Sequence, residues 1–219
     1  MNKKVEKLGY VLLVLLWFLG SQLIVGNVTA LIVGAQQYQA FYNTYQYELN
    51  FIAQALCLSV ILVIDYRYKK LLVKTWQLSV KEVVRYIGLG IGLYLLSVMI
   101  NMLLLPYFPD YVEIQNMFKD QSSIWRFIVI VVMAPVVEEY VFRGKIQGYL
   151  KEVFPITLAI VCQALLFGSM HALALQKIYA SVIGILLGIA REKSGKLQSS
   201  IMMHMTVNFI SWYIATMHI

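Results

Sequence analysis

The sequence predicts an all-α membrane protein, a single polytopic bundle of about seven transmembrane helices formed by residues 1–219. Two features of the composition lead to this prediction: 60% of the residues are hydrophobic, and only 13% are charged. Ordinary soluble domains carry about twice that share of charged residues, so both a soluble domain and a disordered chain are excluded. No repeat, low-complexity stretch or Pro/Gly/Ser-rich linker divides the chain. We therefore expect one integral membrane domain.

Seven apolar stretches supply the helices of this bundle, because a membrane span takes about 20 mostly apolar residues. We predict spans at residues 8–33, 47–65, 84–105, 124–147, 155–175, 178–191 and 198–217. The sixth stretch is shorter than the others. We expect no aspartate within the apolar spans, which argues against a catalytic aspartate pair.

The distribution of basic residues predicts the orientation of the bundle. A formal net charge of +7 would also suit a nucleic-acid partner, but membrane proteins collect Lys and Arg in their cytoplasmic loops. With the N-terminus in the cytoplasm, most basic residues fall in inner segments, and three lie elsewhere: Lys119, Arg126 and Lys177. We therefore predict a multi-pass protein of the cell membrane, in contact with the lipid bilayer, with no nucleic-acid partner.

Other segments have consequences for packing at the membrane. The segment 67–85 mixes basic and apolar residues, which suits either a helix in the headgroup layer or a solvated loop. Two pairs of glycines four residues apart allow close approach of helix backbones: Gly88 with Gly92, and Gly184 with Gly188. We interpret both pairs as packing sites.

Two adjacent glutamates, Glu138 and Glu139, lie inside the apolar fourth span. An ionised side chain in hydrocarbon costs at least a few kcal/mol, so such residues normally mark a functional site. Residues four apart share a helix face, so Arg143 can pair with Glu139 and leave Glu138 directed elsewhere. An unpaired carboxylate in a low-dielectric cavity suits a general acid or base. Pro135, which lacks an N–H, is expected to kink the same helix.

Two histidines repeat the four-residue spacing in later spans. Phe167 precedes His171 in the fifth span, and His204 precedes Asn208 in the seventh. Taken singly, each pair is also explained by hydrogen bonding between helices. Together with the glutamates, they predict one shared polar site built by three helices of a nearly uncharged bundle.

Two hydrolytic chemistries fit this set of residues. In the first, Glu138 and His171 activate a water molecule, while His204 and Asn208 donate N–H groups to the developing oxyanion. In the second, Glu138, His171 and His204 hold a zinc ion with an open position for water. The residues leave both chemistries open, so the cofactor is unknown. The absence of an HExxH motif argues against zinc proteases of that type.

The order of the motifs resembles the CPBP family, which comprises the CAAX proteases and bacteriocin-processing enzymes and is also called the Abi family. The resemblance covers residues 124–213, and its motifs are Glu138-Glu139-x-x-x-Arg143, Phe167-x-x-x-His171 and His204-x-x-x-Asn208. It implies an α-helical intramembrane endopeptidase, a hydrolase that cleaves membrane-associated peptides or proteins near the cytoplasmic face.

The resemblance also implies roles for the residues of the motifs. Glu138 and His171 would activate water, and His204 and Asn208 would stabilise the oxyanion. The supporting residues would be Glu139, Arg143 and Phe167. Members of the family have been described as metalloproteases, and a metal-independent glutamate mechanism is also supported. We leave the metal open and favour water activation without it.

The short chain resembles bacterial members of the family, which are associated with bacteriocin self-immunity and peptide maturation, and prenylated substrates are not expected there. Two other functions remain as alternatives. A non-catalytic membrane immunity or scaffold protein could keep the same fold, but the complete motif set favours an enzyme. A proton-coupled transporter could use Glu138 and the histidines, but the sequence lacks repeats with broken helices at corresponding positions.

Overall fold

Seven helices form the part of the protein that the computed structural model describes, which is residues 3–67, 78–109, 111 and 124–217. Within these residues there is no strand, and the predicted all-α fold class is confirmed. The helices are α1 (Lys3–Val33), α2 (Tyr38–Arg67), α3 (Val80–Leu104), α4 (residues 124–150), α5 (Ile156–Ser169), α6 (Ala174–Ser194) and α7 (Leu197–Thr216).

Four of these helices are long and apolar enough to cross a membrane: α1, α2, α6, and α3 together with the turn that follows it, Val80–Tyr107. Helix α5 is apolar but has only 14 residues, a length of about 21 Å at a rise of about 1.5 Å per residue. The hydrocarbon layer is about 30 Å thick, so α5 alone does not cross it. The remaining two helices, α4 and α7, carry most of the polar residues singled out in the sequence. The protein is a helical membrane bundle.

The predicted boundary between the fifth and sixth helices is wrong by several residues. Helix α5 ends at Ser169 and α6 already begins at Ala174, so His171 lies in the short connection between them. Gly168 accounts for the close contact at this point, because a Cβ atom there would lie 2.0 Å from Ser181 Oγ of α6. The two helices therefore meet tightly beside His171.

Helix α4 alternates between α-helical and π-helical winding. Its π-helical segments are Ile128–Met133 and Glu139–Ile146, and the second ends with a bond from the N–H of Gln147 to the carbonyl of Phe142, five residues earlier. Pro135 lies in the short α-helical segment Ala134–Glu138 between them. Such π-helical segments are rare and frequently lie at functional sites. The two glutamates lie where the winding changes.

The glycine pairs give one confirmed and one wrong prediction. At Gly184 a Cβ would lie 3.1 Å from Arg143 Nη2, and at Gly188 it would lie 2.8 Å from Gln163 Nε2, so both glycines admit close neighbours. At Gly88 and Gly92 a Cβ would meet no atom of the described residues within 4 Å. The close approach of α3 to α7 occurs instead at Gly90, where a Cβ would lie 2.6 Å from Thr206 Cβ.

The core lies around the second half of α4. Val141, Phe142 and Ile146 are completely buried there. Helices α1 and α2 pack on one side of α4, and α5 and α7 pack on the others. The core thus surrounds the glutamate motif.

Of the segment 67–85, for which the sequence leaves two interpretations, residues 68–77 lie outside the described residues. Residues 78–85 are described, and in them Ser79 and Glu82 form a capping box at the first turn of α3.

Candidate active site

Glu139 is the centre of a buried charge cluster. Its Oε1 atom accepts a hydrogen bond of 2.9 Å from Arg143 Nη1, as the four-residue spacing predicts, and another of 2.9 Å from Nδ1 of His204 on α7. The side chains of Glu139 and Arg143 are fully buried. A carboxylate can only accept, so this contact places a proton on Nδ1 of His204. Glu139 therefore fixes the orientation of His204 as well as neutralising Arg143.

Glu138 differs from its neighbour in both burial and bonding. Its side chain is 22% exposed, and its Oε2 atom lies 3.8 Å from Nε2 of His204. This separation is longer than a direct hydrogen bond, and it is the kind of gap that a bridging molecule spans. His204 thus lies between the two glutamates, with one ring nitrogen directed to each. Glu138 is the carboxylate that a substrate or a water molecule can reach.

Phe167 brings the two histidines together. Its ring centre lies 5.0 Å from that of His171 and 5.8 Å from that of His204, with edge-to-face geometry in both cases. The guanidinium carbon of Arg143 lies 4.2 Å from the same ring centre, which is favourable for a cation over an aromatic face. Phe167 of the fifth segment therefore contacts His204 of the seventh segment and Arg143 of the glutamate helix.

His171 reaches this cluster from the connection after α5. Its Nδ1 atom lies 3.0 Å from the carbonyl oxygen of Phe167, which accepts the hydrogen bond. The last carbonyls of a helix lack partners within the helix, so His171 caps α5 while its Nε2 atom stays free of this bond. The contact between Phe167 and His171 follows the predicted pairing, although the helix itself ends between them.

Asn208 makes a different contact from the one expected of an oxyanion donor. Its Nδ2 atom donates to the carbonyl oxygen of Ile130 at 2.8 Å, and this carbonyl belongs to the first π-helical segment of α4. This bond is the interhelical contact that the sequence also allowed. The amide nitrogen carries two hydrogens, so one N–H remains for another acceptor.

The possible zinc site does not assemble. Among the described residues, no three His, Cys, Asp or Glu side chains are arranged to hold a metal ion. Nδ1 of His204 is bonded to Glu139, and Nδ1 of His171 is bonded to a backbone carbonyl, so Nε2 is the ring nitrogen that each histidine would offer to a metal. Glu138, His171 and His204 are not placed as a three-ligand set in this arrangement, and we derive no step through a metal.

Two features of this region escaped the sequence-based interpretation. The bond from His204 to Glu139 joins residues 65 positions apart, and no local spacing reveals it. Asp65 is buried in α2, with 4% exposure, which contradicts the expectation that the apolar spans contain no aspartate. Its signal in the sequence was an acidic residue at the very end of an apolar stretch. No second aspartate accompanies it in the described residues, so the argument against an aspartate pair is unaffected.

Comparison with known proteins adds one finding. Residues 120–210 match the family model Rce1-like, described as type II CAAX prenyl endopeptidase Rce1-like. The match contains all three motifs and confirms the predicted resemblance to CAAX proteases, whereas α1 to α3 lie outside it. A search of the curated proteins and a search of the solved structures each gave no match.

Proposed function

From the match of residues 120–210 to the Rce1-like family, we propose that this protein is an intramembrane endopeptidase acting on membrane-associated peptides or proteins. The family supports a CAAX-type protease in general, and the helical membrane bundle supports hydrolysis within or beside the bilayer. One observation carries the assignment of roles. Glu139 is enclosed and bonded twice, whereas Glu138 is partly exposed and faces His204 without a direct bond.

In this proposal Glu138 is the general base. It removes a proton from a water molecule, whose oxygen attacks the carbonyl carbon of the scissile peptide bond. The same proton then passes from Glu138 to the amide nitrogen as the C–N bond breaks. The products are a new carboxylic acid, which then loses its proton to the amine or to water, and a new amine, and Glu138 returns to its starting state. The free Nε2 atom of His171 supports the water molecule from the side of Phe167.

In this proposal His204 donates to the oxyanion through Nε2. Its Nδ1–H is already committed to Glu139, so Nε2 is the nitrogen left for this bond and donates when it carries a hydrogen. Asn208 supplies its second N–H to the same charge. Donors fixed before the reaction stabilise a developing oxyanion without reorganisation, and Glu139 is the residue that fixes His204.

We also propose a setting for this activity. The positive-inside distribution supports a cytoplasmic N-terminus, and the resemblance of the short chain to bacterial family members supports a bacterial cell membrane, with substrates cleaved near the cytoplasmic face. Family resemblance supports a role in bacteriocin self-immunity or peptide maturation.

The test is a comparison of cleavage products in cells. Membrane peptides are co-expressed with the wild-type protein, with Glu138→Ala, or with Lys151→Met, a change in a surface ion pair just after the end of the same helix. We expect mass spectrometry to find new peptide termini with wild type and Lys151→Met and none with Glu138→Ala. Identical peptide profiles in all three strains would contradict the proposal and favour a non-catalytic immunity or scaffold protein.

A further inference from the structure

We propose that Asp65 of α2 is a positioning residue for the two glutamates, because it holds the π-helical winding of the segment that begins at Glu139. The proposal rests on the proteolytic function proposed above. Asp65 lies outside residues 120–210, so the family match does not assign it a role.

Asp65, Tyr140 and Lys145 form a buried cluster on the α2 side of α4. Each is at most 5% exposed. Oδ2 of Asp65 accepts a hydrogen bond of 2.6 Å from the Tyr140 hydroxyl, and Oδ1 accepts one from Lys145 Nζ. The Lys145 ammonium also lies 5.6 Å from the centre of the Tyr140 ring. Both oxygens of Asp65 are therefore committed to α4.

The spacing of the two donors depends on the winding of the helix. Tyr140 and Lys145 are five residues apart, and in an α-helix with about 3.6 residues per turn they would point roughly 140° apart. In a π-helix, residue i bonds to residue i+5, so residues at this spacing lie nearly above one another. A single carboxylate that binds both side chains therefore favours the wider π-helical turn over the α-helical one.

The same segment presents its other side to the candidate active site. Glu139 bonds to His204 of α7, and Arg143 stacks on Phe167 of α5. If the segment rewound as an α-helix, Glu139 and Arg143 would turn about the helix axis relative to these partners. Asp65 thus determines, from the far side of α4, the direction in which Glu139 points and hence the orientation of His204.

A purely stabilising role for Asp65 makes a different prediction from a positioning role. Replacing both members of a buried ion pair with apolar residues is often neutral for stability, whereas removing one member leaves an unpaired charge. The double variant Asp65→Leu/Lys145→Met removes both charges, so we expect it to remain folded. If Asp65 only stabilises the fold, the double variant should also be fully active.

The first measurement is kinetic, with purified protein and a peptide cleaved by the wild type. We expect Asp65→Leu/Lys145→Met to lower kcat by about tenfold or more at unchanged KM, since displacements of about 1 Å in an active site cost up to about a hundredfold. Tyr140→Phe, which changes no charge, should lower kcat by a smaller factor in the same way. Lys151→Met serves as the control and should leave both constants unchanged.

The second measurement does not depend on proteolysis. The chain has only three histidines, so nitrogen NMR of ¹⁵N-histidine protein resolves the His204 signals, and His204→Gln assigns them. We expect the Nδ1 signal of His204 to shift in the Asp65 double variant and in Tyr140→Phe, while His171, bonded to the backbone of Phe167, keeps its signal. Lys151→Met should change neither.

The outcomes separate the two proposals. If wild type shows no proteolysis but the His204 signal shifts in the variants, the proposed function fails and the positioning role of Asp65 stands. If wild type is proteolytic and a folded double variant keeps both wild-type kcat and the wild-type His204 signal, the positioning role is overturned. Should the double variant not fold, the same criteria apply to Tyr140→Phe.

Discussion

The first three helices and the helices around α4 differ in how much of their surface the rest of the protein buries. In α1, α2 and α3, between 11% and 22% of the most apolar window is buried, compared with 33% in α6. Leucines such as Leu13 of α1 face outward. In α4, Glu139 and Arg143 are fully buried. The buried charges of α4 are thus paired with each other and with His204 of α7, whereas the charged residues of α1 and α3 lie near the N-terminal ends of those helices.

Asp65 is the exception that connects the two regions. It belongs to α2, one of the apolar outer helices, but both its oxygens bind side chains of α4. Substitutions in the two regions should therefore differ in their effects on activity and on the free energy of unfolding, and substitutions of the buried charges should have the largest effects.

Glu139→Gln should destabilise the protein most. The substitution leaves the buried Arg143 without a counter-charge, and removing one member of a buried ion pair costs about 3–5 kcal/mol. Thermal or denaturant unfolding in detergent measures this change. Glu152→Gln is the control, because its partner Lys7 lies at the surface and Glu152 is half exposed, so the loss there should be below about 1 kcal/mol. Equal losses for the two variants would contradict a buried charge cluster.

His204→Gln should affect activity more than stability. It removes the ring nitrogen that faces Glu138, and loss of one oxyanion donor lowers kcat by about 10²- to 10³-fold. Arg143 keeps its bond to Glu139, so the protein should remain folded. We expect KM to remain unchanged, and steady-state kinetics of the purified variant check both constants. A wild-type kcat would remove His204 from the reaction.

Gly90→Ala should weaken the contact between the two regions. The added methyl group would lie 2.6 Å from Thr206 Cβ of α7, and overpacking of this kind costs about 1–3 kcal/mol. Gly88→Ala on the same helix meets no described atom within 4 Å and should be neutral or slightly stabilising. The midpoints of thermal unfolding of Gly90→Ala and Gly88→Ala test this prediction. A larger decrease of the midpoint in Gly88→Ala would show that α3 packs through a different face.

Leu13→Val should have the smallest effect. Leu13 is 62% exposed on α1, and substitutions on exposed faces usually change the free energy of unfolding by less than about 0.5 kcal/mol. Unfolding measurements that show a loss above about 2 kcal/mol would mean that this face of α1 is covered by another protein surface rather than by lipid.

Local spacing explains what the sequence could predict. The pair of Glu139 and Arg143 and the contact of Phe167 with His171 both join residues four apart, and both are observed. The helical fold class follows from the composition and from apolar stretches long enough to span a membrane. Contacts between distant segments were not predictable in this way, because the bond from His204 to Glu139 depends on how α7 packs against α4.

Helix winding accounts for the remaining differences. Asp65 binds Tyr140 and Lys145, which are five residues apart. An α-helix would place these two side chains on different faces, so their spacing does not indicate a common partner. The glycines of α3 show the same limit. The spacing of Gly88 and Gly92 is typical of close packing, but the face of α3 that meets α7 contains Gly90, and only the packing of the two helices reveals which face that is.

The central claim is that two adjacent carboxylates have different roles: Glu138 takes part in the reaction, and Glu139 positions His204. It is tested most directly by measuring peptide cleavage and thermal unfolding of purified Glu138→Gln beside Glu139→Gln. We expect Glu138→Gln to unfold at the wild-type temperature with kcat lower by about 10²- to 10⁴-fold, and Glu139→Gln to lose stability as well as activity. Near-normal cleavage by Glu138→Gln, together with an inactive but fully stable Glu139→Gln, would contradict the account.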